Sequence, residues 1–125
     1  MIPDTKISAT ILEFGKAIIS ELPTDFSEEE FEATITLVIT AWNAVVMDSW
    51  ENRDRFESEL TSALKSAPKK AQIEMSRLVK RKKKKFGSDP RVVGNYWVNW
   101  KNGELVFGCD ARLNIENLRI EGVKH

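Results

Sequence analysis

The sequence predicts an α+β fold: about four helices, followed by a C-terminal antiparallel β-hairpin or small three-stranded sheet packed on the helical layer. Two observations carry this expectation. The stretch from Phe26 to Trp50 is an almost unbroken apolar rod with a helix-start signature at its head. From Val92 onward the apolar period changes from helical to two, around an Asn102-Gly103 pair that favours a tight hairpin turn. The 125 residues read as one domain, with a helical part at about 5–87 and a β part at about 91–121, long enough to bury a core.

The first helix is expected from Ser8 to Leu22, where Ile11, Leu12, Phe14, Ile18, Ile19 and Leu22 form an apolar stripe. Pro23 ends it, because proline pushes the residue before it out of the helical region. The central helix starts at Ser27. Ser27 and Glu30 form a capping box, and Phe26 and Phe31 occupy the positions of a hydrophobic staple. Glu28, Glu29 and Glu30 put negative charge where the helix dipole favours it.

The apolar run that follows is about 15 residues, below the roughly 20 of a bilayer span. A helix apolar on nearly all sides is a buried one. Thr36, Thr40, Asn43 and Met47 fall along one stripe of it. The simpler reading of that stripe is threonine hydroxyls bonding back to the preceding turn; the alternative is a polar-lined pocket or subunit seam. Asn43 must find partners for its amide if it is buried. Ser49 or Asn52 is expected to break or kink the helix. A third helix then carries Phe56, Leu60 and Leu64 up to Ala67. Pro68 suits the first position of a fourth, whose Met75, Leu78, Val79, Lys82 and Phe86 form an amphipathic stripe, with Lys82 snorkelling along it. Gly87 closes this helix.

A two-residue turn at Asn102-Gly103 sets a register for the hairpin. Trp100 opposes Leu105, Val98 opposes Phe107, Tyr96 opposes Cys109 and Gly94 opposes Ala111. One face is then apolar, and the other holds Asn95, Trp97, Asn99, Asp110 and Arg112. Trp97 lies across from Gly108, where a ring can cover exposed backbone. An isolated hairpin is not stable in water, so its apolar face must rest on the helices. Leu113, Ile115, Leu118 and Ile120 supply either a third strand or a covering segment.

Net charge is zero but unevenly spread. Residues 1–60 carry thirteen acidic and four basic side chains, 61–91 eleven basic and two acidic, and 92–125 four of each. The basic middle could engage an anionic partner or pair with the chain's own acidic helices. Cys109 is the single cysteine, so no intramolecular disulfide can form. Residues 1–8 lack the basic and apolar regions of a secretory signal, and a cytoplasmic location is expected.

The residue types present disfavour catalysis. His125 is the only histidine and stands last, which leaves no His-based triad and no Cys/His metal set. Cys109 lies on the apolar hairpin face as an inert small hydrophobe. There is no phosphate-cradling glycine loop. Asp89 reads as a turn residue before Pro90, and Asp110 with Arg112 as an ion pair two residues apart.

Three functional readings remain. The leading one is a non-catalytic intracellular interaction or oligomerising module that uses Trp97, with Asn95 and Asn99 beside it, because aromatic side chains are enriched at binding hot spots. The alternative is sequence-independent binding of nucleic acid or another polyanion by Arg77, Lys80, Arg81, Lys83, Lys84 and Lys85, with Tyr96, Trp97 and Trp100 as stacking platforms. A lesser alternative is a metal-dependent hydrolase with carboxylate ligands among Asp48, Asp89 and Asp110. No cofactor is implied, and the basic helix lacks the Trp/Phe-rich face of a membrane-inserting one.

Overall fold

A computed structural model describes residues 6–51 and 55–112. Over these the order is α1 (Ile7–Phe14), α2 (Lys16–Ile19), α3 (Glu28–Glu51), α4 (Arg55–Ala63), a 3-10 turn (Leu64–Ser66), α5 (Lys69–Lys85), β1 (Val92–Lys101) and β2 (Glu104–Arg112). Among the described residues, five helices precede a two-stranded antiparallel sheet that packs on them, the α+β architecture read from the sequence.

The central helix begins as its sequence dictates. The Ser27 N–H donates to Glu30 Oε1 and the Glu30 N–H to Ser27 Oγ, both at 3.0 Å. The Phe26 and Phe31 rings stack at 5.8 Å, closing the staple. α3 runs without a break through Ser49 to Glu51, so no kink occurs there; Asn52 lies outside the described residues. Its 24 residues are long and apolar enough to cross a membrane, more than the apolar run alone suggested. Half of that apolar stretch is buried inside the fold, against α1, α5 and β1, which is the situation of a core helix. Thr34, Thr36 and Thr40 bond back to carbonyls four residues earlier.

The expected first helix is two. It breaks at Gly15, where a Cβ would stand 2.8 Å from Val38 Cγ2 and 2.9 Å from Val38 Cγ1. α3 crosses so closely there that only glycine fits, and α2 follows with Ile18 buried. The third expected helix is α4 followed by the 3-10 turn. Asp48, buried on α3, caps it from outside: its carboxylate accepts the Phe56 N–H at 2.6 Å and the Glu57 N–H at 2.9 Å. Gly87 follows α5 for steric rather than conformational reasons, since a Cβ there would meet the Lys83 carbonyl oxygen at 2.6 Å.

Asn102 (φ 52°) and Gly103 (φ 79°) both adopt positive φ, the type I′ turn that their identities favour. The register Trp100–Leu105, Val98–Phe107, Tyr96–Cys109 follows. It fails at the next pair: Val93, not Gly94, opposes Ala111, because a bulge interrupts β1 between Val93 and Tyr96. The Asn95 N–H inside the bulge donates to Asp110 Oδ1 at 2.9 Å. The extra residue brings Val93, 3% exposed, into the buried core cluster with Val98. Asp110 and Arg112 do not pair with each other; both converge on the space a Gly94 side chain would fill. The segment expected as a third strand, Leu113–Ile120, lies outside the described residues.

Three side chains of α3 fasten the start of the hairpin. Trp50 Nε1 donates to the Pro90 carbonyl (3.3 Å) and Trp42 Nε1 to the Arg91 carbonyl (2.7 Å). Asn43 donates to the Val93 carbonyl at 3.0 Å and accepts the Val93 N–H at 2.8 Å, doing for the edge of β1 what a neighbouring strand would do. Further along, the Thr36 and Tyr96 hydroxyls meet at 2.7 Å.

Candidate functional site

α5 has two faces with opposite fates. Its inner face buries Met75, Leu78 and Lys82 against α3. Lys82 does not snorkel to water. It is 1% exposed, and its ammonium donates to the Phe86 and Asp89 carbonyls while lying 4.3 Å from the centroid of the Trp42 ring. The three contacts fix the turn that leads from α5 to β1. Desolvation lowers the Lys82 pKa to about 8, opposed by the negative charge of Asp89.

Asp89 is therefore more than a turn residue. Its carboxylate takes both arms of the Arg91 guanidinium, Nε at 2.9 Å and Nη2 at 2.7 Å, and accepts the Arg91 N–H at 3.1 Å. Arg91 Nη2 also donates to Thr10 Oγ1 on α1 at 3.3 Å. Burial pushes the Asp89 carboxyl up, but the hydrogen bonds and charge of Arg91, with the charge of Lys82, together hold it below its ordinary 3.8. Arg91 is held protonated by its side-chain hydrogen bonds to Asp89, which outweigh its own desolvation. Among the described residues no buried side-chain nitrogen or oxygen lacks a partner. The network joins α1, α5 and β1, and its groups are consumed by that task.

The outer face of α5 is basic and exposed. At 100° per residue, Lys69, Lys70, Arg77, Lys80 and Lys84 fall in a sector of about 100° around the axis, and all five are exposed. Seventeen residues make this stripe about 25 Å long. The acidic N-terminal half reaches only part of it: Glu21 stands 3.9 Å from Arg77, and Glu57 pairs with Lys83 at 2.8 Å. Arg81 is committed elsewhere, donating to the Phe14 and Glu13 carbonyls at the end of α1 (3.0 and 3.2 Å). Lys69, Lys70, Lys80, Lys84 and Lys85 have no acidic partner among the described residues. Of the six cations singled out from the sequence, three are thus engaged within the fold. Lys69 and Lys70, about three turns back along α5 from Lys80, join the remaining three.

The rings expected beside the lysines are placed otherwise. Tyr96 faces α3 through its hydroxyl, and Trp100 stacks on Phe26 at 6.4 Å. α5 packs chiefly on α3 and not on the hairpin. Trp97 is 48% exposed on the sheet face turned away from the helices, and its indole lies over Gly108, where a Cβ would be 2.6 Å from three ring atoms. Asn95, Asn99 and Val106 are exposed on the same face.

Among the described residues no three His, Cys, Asp or Glu side chains gather as a metal-ligand set. Asp48, Asp89 and Asp110 each serve a backbone or ion-pair role of their own. Burial, aided by the charge of Asp110, pushes the Cys109 thiol up to about 11, so it stays protonated at neutral pH. No family model, no curated protein and no solved structure matches this chain.

Sequence reasoning missed Thr10, Trp42, Asp89 and Arg91 as one assembly. Its one available signal was Lys82, which falls within the apolar stripe of α5 where a cation has to find buried partners.

Proposed function

We propose that the exposed face of α5 binds the phosphate backbone of nucleic acid without reading base sequence. The observation that carries this is the row of lysines on one helix face with no acidic partner among the described residues. A straight stripe about 25 Å long is long enough to face several phosphates of a nucleic-acid strand. Lysine suits this task as a point charge and is a poor bidentate reader of base edges. A lipid surface fits less well, because Ile73 is the one large apolar side chain exposed on α5.

Fluorescence anisotropy with labelled single- and double-stranded oligonucleotides at low salt tests the reading. The triple variant Lys69→Gln, Lys80→Gln, Lys84→Gln is expected to bind at least about 30-fold more weakly, roughly threefold or more for each lost phosphate contact. It should unfold at the wild-type temperature, since none of the three side chains has a partner to lose. Unchanged binding by this variant would reject the α5 face, and binding confined to anionic vesicles would reassign it to membranes.

A further inference from the structure

We infer that the outer face of the hairpin is a self-association surface whose occupant is a second copy of this chain. The face is arranged in rows across the two strands. At the turn end stand Lys101 and Glu104; in the middle Asn99 with Val106 and Trp97 with Gly108; at the far end Asp110 and Arg112. The centre is uncharged, with Trp97 at 48% and Val106 at 41% exposure, and each end carries one cation and one anion.

This pattern is complementary to itself. A twofold axis in the plane of contact, perpendicular to the strands and passing by Trp97, lays the turn end of one hairpin over the far end of the other. Glu104 of each copy then meets Arg112 of the partner subunit, and the two Trp97 rings meet at the centre. Two sheet faces packed in this way keep their strands nearly aligned, as sheets stacked about 10 Å apart do. Arg112 has no ion-pair partner of its own among the described residues, so it is available to an outside carboxylate.

The size of the face sets the strength. Strands of ten and nine residues give a length of roughly 30 Å, and the two together give a buried area on the order of 400 Å² per copy. That is about half of what a standard stable interface buries on each side. The dimer is therefore expected to be transient and concentration-dependent.

Sedimentation velocity from micromolar to millimolar protein reads this directly. The wild type should move from monomer toward dimer over that range. Because each ion pair occurs twice, Glu104→Arg should raise the dimer Kd by about fivefold or more. The double variant Glu104→Arg, Arg112→Glu should restore the wild-type value. Trp97→Ala should leave a monomer throughout. As Trp97 also covers Gly108, the charge-reversal pair keeps the test sound if that variant loosens the hairpin. A wild type that stays monomeric at millimolar concentration, or a dimer indifferent to the charge reversal, overturns the inference.

Discussion

Burying the Lys82 ammonium carries a desolvation cost that two carbonyls and the face of Trp42 must offset. Lys82→Met keeps the apolar stem and removes both donors, leaving the Phe86 and Asp89 carbonyls unmet; a loss of about 1–3 kcal/mol in denaturant unfolding is expected. The same residue shapes the alkaline side of the stability curve. Its folded pKa of about 8 lies below its ordinary 10.5, so the unfolded chain binds more protons between those values and stability rises with pH there. Cys109 acts in the opposite sense: its thiol, raised to about 11 from 9.0, lowers stability as pH climbs through that window. In a Cys109→Ala background the rise above pH 8 should stand alone, and adding Lys82→Met should flatten it. Asp89 governs the acid side. Its lowered pKa contributes stability that is complete above its ordinary 3.8 and is lost as pH falls through the folded value. Asp89→Asn leaves Arg91 buried without its counter-charge, and a cost of about 3–5 kcal/mol at neutral pH is expected.

At the scale of elements, Asn43 is the clearest link between the helical layer and the sheet. Asn43→Ala removes both bonds to Val93 and leaves its N–H and carbonyl on an open strand edge. The expected result is about 1–3 kcal/mol of destabilisation and faster amide exchange along β1, with α3 still protected. The sequence made some of these elements legible and hid others, for physical reasons. Capping box, staple and type I′ turn depend on neighbours within five residues, so Ser27, Phe26 and Asn102 announced them. The break at Gly15 depends on Val38, 23 positions away, and no local signal distinguishes it from a tolerated helical glycine. The bulge at Gly94 is likewise set by Asp110 across the hairpin and by Asn43 on α3. The Asn43 amide was recognisable as a group in need of partners; which partners was a tertiary fact.

Over the whole molecule, charge organisation decides which surface can act. The acidic N-terminal half and the basic middle cancel in number but not in space. Glu21 and Glu57 meet Arg77 and Lys83, and the α1 carbonyls take Arg81, while Lys69, Lys70, Lys80 and Lys84 remain on the outer face of α5 with no acidic partner among the described residues. The polarity of the chain was plain from its composition; which cations would be neutralised was not, because that depends on how α1 and α4 pack around α5. The buried network fixes α5 to α1 and β1, so under the proposed reading its loss should weaken binding only as far as it unfolds the domain. The most direct measurement is the salt dependence of oligonucleotide affinity. If the α5 stripe contacts phosphates, log K for duplex should fall linearly with log salt with a slope of about −3 to −5, and each Lys→Gln change on the stripe should reduce that slope by about 0.9. A slope near zero, or one untouched by those substitutions, would contradict the account.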